Sequence, residues 1–390
     1  MSRHSLRKRS ADEAGFSLVF VGVGLMGFLA VSMLAIDVGM LMTARNQAQN
    51  SADAGALAGA TALVFNSWTD RSATGPAVTN ALSASRANQV MAVNVSVTVP
   101  DVEFLKDPAG LDDRVKVTVY REASRGNPMA TMVAQYFGIA TVGVRATATA
   151  EASPANAATC VKPFTIPDKW QENTSAPWNP ATSTFDYYQP QGQTWSNQVL
   201  PTHDVYIPAD QPGNTGYDMF RDVGTMLAIR AGNGNQVAPS MYFSWAMPGG
   251  TGGSWYRDNI AGCNTTIVHW GDPIVQEPGS MMGPTVQGAQ DLIDRDPNAY
   301  WDSAKNRAIT SQHPSPRIFP IPLYDPMYYQ SQKVNGRNAT LKVANWIGFF
   351  LDHTDSNNIY GRITPIPGIL DHNAGPAPQG TFPRVIRLVQ

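Results

Sequence analysis

From Phe16 to Ile36 the chain reads FSLVFVGVGLMGFLAVSMLAI, without one charged side chain. A helix of about 20 such residues crosses the hydrocarbon core of a bilayer, where every backbone polar group must be bonded within the segment. Inside the run lies GVGLMG, Gly22 to Gly27, which fits the dinucleotide fingerprint G-x-G-x-x-G letter for letter. That fingerprint works only between a strand and a solvent-facing helix, with an acid about 20 residues further on for the ribose. Here FLAVSMLAIDVGMLM follows, with no polar face and no second strand ending in an acid. The glycines belong to a membrane segment, where small residues let helices approach closely, so Gly22 and Gly27 read as packing positions.

Arg3, Arg7, Lys8 and Arg9 precede the span, and only Arg45 follows it closely. Basic flanks stay on the cytoplasmic side. Residues 1–15 are therefore expected to be a cytoplasmic leader, with the rest outside a single-pass anchor in the inner (cytoplasmic) membrane. A secretory signal has a shorter apolar core ending in a small-residue cleavage site. This run is longer and passes into a helix, although a cut near Ala60 stays open at this point. Charged residues are 15%, with 33 Gly and 29 Pro, so the extracytoplasmic part should be loop-rich and strand-biased. A net charge of −2 without a basic stripe beyond the N-terminus speaks against nucleic acid as a partner.

The helix continues to about residue 65 as VGMLMTARNQAQNSADAGALAGATAL, free of proline and rich in alanine. Ala48, Ala52, Gly55, Gly59 and Ala62 recur by fours and threes, which puts them on one face. Glycine at two of these positions costs about 1 kcal/mol each against alanine, so a closely approaching neighbour is the compensation. The neighbour is either the chain's own domain or a helix of another protein. Asp37, at the outer end of the span, is either solvated at the interface or paired with a partner helix.

Ile36-Asp37-Val38-Gly39, Arg45, Gln49-Asn50 and Ala52-Asp53-Ala54, followed by Ala56-Leu57-Ala58-Gly59-Ala60, resemble the N-terminal segment of the TadE/TadG-like proteins of tight-adherence (Flp-type) pilus assembly. The resemblance covers about residues 16–65 and extends to about 150, because a Phe-Gly followed by an Ala-Thr-Ala strand also occurs in that family. It implies a pseudopilin-like, membrane-anchored protein of the cell envelope. Its helix would meet pilus or secretion-system proteins, or a second copy in a homo-oligomer, and its outer part would face the periplasm, with a role in adhesion. Gly15-Phe16 resembles the junction cut in pilin-like members, yet the fifth residue from Phe16 is Phe20 where those carry Glu, so the bond is expected to stay intact. The D-x-S-x-S string that opens the metal site of larger members is missing, and no metal or cofactor follows from the resemblance.

Beyond the anchor, the pattern predicts an α+β protein: a small α+β module at 66–152, a linker at 153–159 and a β-rich outer domain at 160–390. Pro76–Val90 has helical spacing, and 93–99 and 114–120 alternate as an antiparallel pair. MATMVAQYFGI suits a short helix and VGVRATATAEA a third strand, while the small residues of SPANAAT mark the linker. In the outer domain FDYYQPQGQTW, HDVYIP, MYFSWAMPGGTGGSWY and TTIVHWGDPI read as short strands. Thr285–Ile293 reads as a helix, extended around Asn298–Lys305, and NWIGFFLDHTD, YGRITPIPG and PRVIRLVQ as closing strands. The two cysteines, Cys160 and Cys263, point to a disulfide in an exported domain and make a poor zinc site.

No nucleophile motif, zinc motif or phosphate loop occurs. His269 near Asp272 and His353 beside Asp352 read as ordinary loop or core histidines. DRDPNAYWD and DHTDSNN carry oxygen ligands suited to calcium, but lack the spacing of an EF-hand, and capping or turn roles explain them better. The expectation is a non-enzymatic bitopic envelope protein. The alternative is a membrane-tethered enzyme or ligand-binding module with a pilin-like anchor.

Overall fold

The computed structural model of the chain describes residues 6–172, 188–190, 194–195, 198–199, 203–231, 237–238, 240–332, 340–375 and 377–389. The first element, α1 (Leu6–Phe65), is a single helix of 60 residues, about 90 Å long at 1.5 Å per residue. Its apolar stretch is bare: most residues from Leu18 to Ile36 are exposed. Its second half packs one face against a small module with α2 (Pro76–Ala87) and a sheet that begins with β1 (Val102–Leu105), β2 (Arg114–Arg121) and β3 (Val144–Pro154).

Strand alternation gives this sheet two unlike faces. Val115, Val117 and Val119 of β2 are fully buried and share one cluster with Ala148 and Ala150 of β3 and the alanines of α1. Among polar side chains of the sheet, Arg114 Nε donates to Glu151 at 2.7 Å and Lys116 pairs with Glu103 at 3.2 Å. The proline at the start of α2 suits a first turn, whose N–H groups lack helical acceptors.

The remainder is built around a closed ring of six strands: β4 (Phe164–Pro167), β5 (Met226–Ala231), β6 (Met241–Ser244), β8 (Ile318–Tyr324), β9 (Thr340–Thr354) and β10 (Asn358–Thr364). Around the ring the order is β9, β8, β4, β6, β5, β10 and back to β9. The β4/β8 and β5/β6 pairs are parallel and the others antiparallel. A short strand, β7 (Pro273–Val275), adds to the start of β9. Alternate strand residues divide between two buried clusters, one with Phe164, Ile321 and Phe349, the other with Phe243, Tyr324 and Trp346. Helices α3 (Gly252–Ala261) and α4 (Met282–Arg295) cover the first through Tyr256, Ile260, Ala289 and Leu292. The α+β class, with its long apolar N-terminal helix and β-rich C-terminal part, is as the sequence indicates.

Several boundaries differ. After β10, the chain does not end in the barrel: β11 (Ile366–Pro367) and β12 (Pro383–Val389) return to the small module, where β12 pairs with β3 from Arg384↔Pro154 to Val389↔Thr149. The module's sheet therefore runs β11-β12-β3-β2-β1 and is completed by the far end of the chain. Residues 153–159 are not a linker. Ala155, Ala157 and Ala158 are buried, Asn156 Nδ2 donates to the carbonyls of Asp371 and Gly375, and the small side chains serve close packing against the returning segment.

MATMVAQYFGI is no α-helix but the short ladder Met129–Ala130 with Thr141–Val142, carrying a 3-10 turn at Ala134–Phe137. The strand expected at 93–99 shrinks to Val93–Asn94 and one bridge at Ser96, and the partner of β2 is β1 instead. Asn298–Lys305 does not extend α4; Tyr300–Asp302 pairs with Arg307–Ile309. GGSWY, read as strand, opens α3. FDYYQPQGQTW lies mostly outside the described residues.

Cys160 and Cys263 form the disulfide, with Cα atoms 4.4 Å apart across a sequence separation of 103. Gly59 gives the fold its most direct test. A side chain there would meet Val115 Cγ1 at 2.8 Å from its first carbon and Ala81 Cβ at 3.2 Å. Gly59→Leu should raise intrinsic helix propensity yet destabilise the protein by about 1–3 kcal/mol or more through overpacking, read as a lower urea midpoint. An unchanged or higher midpoint would mean that α1 does not dock as described.

Candidate functional site

The docked half of α1 is a ridge of small residues. Ala44, Ala48, Ala52, Ala56 and Ala60, four apart, are all at most 1% exposed, and Ala62 is buried beside them. Gly55 and Gly59 lie where α2 and β2 come closest: a methyl on Gly55 would collide with Ser85 Oγ and come within 3.2 Å of Val117 Cγ1. The small-residue seam thus faces the chain's own α2 and sheet. Polar side chains on its borders bind backbone. Ser51 Oγ donates to the Ser85 carbonyl at 2.8 Å, and Gln49 Nε2 to the Thr147 carbonyl at 3.2 Å. Gln47 Oε1 accepts the Met91 N–H at 2.7 Å, steadying a tight turn in which Met91 and Ala92 both have positive φ, 50° and 61°.

Asp37 sits where the bare half of the helix meets the module. Its carboxylate accepts the backbone N–H groups of Met132 (2.7 Å), Val133 (3.0 Å) and Ala134 (2.6 Å). These are the donors at the start of the Ala134–Phe137 turn, left without acceptors by the turn itself. Neither sequence alternative for Asp37 includes this partner: it is a loop of the same chain. A pairing across almost a hundred residues has no local signal.

Residues 15–62 match a family model described as putative Flp pilus-assembly TadE/G-like. This stretch is a TadE/G-like segment. No curated protein and no solved structure matches the chain. The TadE/G-like segment takes in the one helix among the described residues that is long and apolar enough to cross a membrane, together with nearly all of the docked ridge. The similarity to this family thus falls on the apolar helix and continues into the folded module. Of the residues that carry the resemblance, Asp37, Gln49, Ala52, Ala56 and Gly59 make the internal contacts above. Arg45 and Asn50 stay exposed, and no atom lies within 4 Å of a carbon added at Gly22, Gly24, Gly27 or Gly39.

The remaining polar candidates make contacts within the fold. His269 bridges Asp272 (Nδ1, 3.3 Å) and Asp371 (Nε2, 3.0 Å), and His353 stacks on Tyr360 with ring centres 4.5 Å apart. In the two acidic loops Asp296 accepts hydrogen bonds from Thr310 and Ser315, and Asp302 from the N–H groups of Ala304 and Lys305. Asp355 caps Asn357 and Asn358. Among the described residues no group of three or more His, Cys, Asp or Glu is placed to hold a metal ion.

Asp168, just after β4, is wholly buried and accepts from the Tyr217 N–H (2.8 Å), Lys169 N–H (2.9 Å), Tyr206 hydroxyl (3.2 Å) and Asn345 amide (3.3 Å). Sequence reading missed it, because a single Asp after a strand carries no motif. Burial pushes its carboxyl up from 3.8 to about 7, against those hydrogen bonds. Burial also pushes Asp113 up to about 7, and pushes the Lys162 ammonium, held by the Ile260 and Gly262 carbonyls, down to about 7.

A carboxyl with a raised folded pKa contributes stability that is full below the unfolded value near 3.8 and is lost as pH climbs through 7. Lys162 acts in the opposite sense, adding stability as pH rises from about 7 toward 10.5. The protein should therefore lose stability between pH 5 and pH 7 through Asp168 and Asp113. In Asp168→Asn, less stable at both pH values because an amide donor now faces donors, the pH-dependent loss should be smaller by about 2 kcal/mol. Urea unfolding at the two pH values measures the difference; an identical slope in both proteins would remove Asp168 from this role.

Proposed function

We propose that this chain is a non-enzymatic, single-pass envelope protein of Flp-type pilus assembly, with its N-terminus in the cytoplasm and its module and barrel on the outer side of the inner membrane. The observation that carries this reading is the coincidence of the TadE/G-like segment with one uninterrupted helix, half bare and apolar, half embedded in the fold. Basic residues before the span and a single arginine soon after it support the orientation. The Cys160–Cys263 disulfide suits an oxidising compartment.

The docked ridge is occupied by the chain itself, so contact with pilus or secretion-system proteins falls to the bare half. There Gly22, Gly24 and Gly27 offer a close approach within the bilayer. A second copy of the chain would use the same face. The barrel then acts as an outer platform held at a fixed height above the membrane.

Alkaline phosphatase fused after the last residue should be active, and a fusion after Arg9 inactive; the reverse pattern would overturn the orientation. Leucine at both Gly22 and Gly27 should leave insertion and accumulation normal while reducing crosslinks to pilus-system partners at least tenfold, together with surface pili. That factor corresponds to about 1.4 kcal/mol of lost association. Unchanged crosslinks and piliation in that variant would contradict the assembly role and favour a module on a passive tether.

A further inference from the structure

Between Arg125 and Arg145 the chain has no charged residue, and the centre of this stretch is apolar yet turned outward. Met132 is 57% exposed, Tyr136 82%, Phe137 72% and Ile139 53%, whereas aromatic side chains such as Phe164, Trp346, Phe349 and Phe350 are fully buried. The loop that carries them is rigidly built. Its base is the Met129–Ala130 and Thr141–Val142 ladder, with Met129 buried in the module's core. Thr131 Oγ1 donates to the Ile139 carbonyl at 2.6 Å and closes the neck, and Gly138, at φ 87°, ends the 3-10 turn. An ordered loop displaying four large apolar side chains to water exposes surface that soluble proteins normally cover.

Asp37 fixes where this loop sits. Through the three backbone hydrogen bonds from Met132, Val133 and Ala134 the loop is held against α1 at the residue that ends the uncharged span. Counting 1.5 Å per residue, Asp37 lies about 30 Å along the helix from Phe16, the thickness of a bilayer's hydrocarbon core. With the span seated in the membrane, the loop is at the level of the outer headgroups. There a Tyr-Phe pair, with one polar tip and one apolar ring, matches the chemistry of the interface. On α1 itself Ile36 and Val38, on either side of Asp37, are also outward, 51% and 43% exposed.

We propose that the Met129–Val142 loop is a second membrane contact: Met132, Tyr136, Phe137 and Ile139 insert into the outer-leaflet interface of the bilayer that α1 crosses. The occupant of the patch is lipid. With no charge on the loop, the contact depends on apolar insertion and is indifferent to anionic headgroups. It turns a single-helix tether into a two-point footing that fixes the rotation and tilt of the module on the membrane.

Full-length Phe137→Cys, whose added thiol is the one free to react because Cys160 and Cys263 are joined, takes an environment-sensitive fluorophore. The protein is reconstituted in phosphatidylethanolamine and phosphatidylglycerol vesicles, with and without bromine on the acyl chains near the headgroup. Lys305→Cys, beside Phe65 at the other end of the docked helix and about 40 Å further along it, is the water-exposed control. At position 137 the emission should shift to the blue, with strong quenching by brominated lipid and weak quenching by aqueous iodide; at 305 the ranking should reverse. Equal iodide quenching at the two positions, without a brominated-lipid effect, would overturn the proposal. So would a label at 137 shielded from both quenchers, the outcome for a loop covered by another protein or a second copy. The readout needs no pilus partner, so failure of the assembly role would leave this result unaffected.

Discussion

The close approach of α1 to α2 and β2 at Gly55 and Gly59 is the contact on which the rest of the molecule depends. Any side chain at these positions would enter space held by Ser85, Val117 or Val115, so the helix backbone lies directly on its neighbours. Glycine lowers the intrinsic stability of the helix, and alanine adds little area per residue. What the alanine ridge supplies instead is proximity, which lets the valines of β2 and the alanines of β3 exclude water against a surface almost without protrusions. Ser51, Gln47 and Gln49 then meet backbone groups along the edges of the contact.

Because the same helix continues into the uncharged run, the membrane and the module share one rigid element. No flexible linker separates them: the ridge begins at Ala44, two turns beyond Asp37, and Asp37 itself is bound to the module's loop. The barrel is coupled to this unit by the chain's return. β12 pairs with β3, and the buried Arg384 guanidinium donates to the Thr381 and Ala152 carbonyls while lying 5.7 Å from the Trp68 ring. The helix, the sheet and the barrel are thereby linked through continuous packing and strand pairing. This mechanical continuity suits the proposed role.

What could be read from the sequence follows the range of the interactions involved. The apolar run, the small-residue face of α1, the period-two pattern of RVKVTVY and VGVRATATAEA and the spacing of α2 are local signals, and they recur in the structure as helix and strand. MATMVAQYFGI misled because its apolar residues face outward and a distant carboxylate caps its turn. SPANAAT has the composition of a linker, yet its small side chains serve tight packing against the returning chain. PRVIRLVQ is legibly a strand, but nothing within it says that its partner is β3 and not the barrel. The ring closes through β4 against β8, strands about 150 residues apart whose pairing leaves no mark in either segment. At the candidate site the residues of the seam were legible while their partner was not, since a glycine face looks the same whether its neighbour belongs to one chain or two.

The central claim, that residues 38–65 are a core element of this chain's own fold, is tested most directly by two fragments without the membrane span. One begins at Val38 and the other at Asn66, and both run to the end of the chain. Their urea unfolding should be compared by circular dichroism and tryptophan fluorescence. The longer fragment should be soluble and unfold cooperatively. The shorter one, with Val115, Val117, Ala148 and Ala150 uncovered, should aggregate or lose the module's transition. A shorter fragment that unfolds with the same midpoint and slope as the longer one would contradict the account.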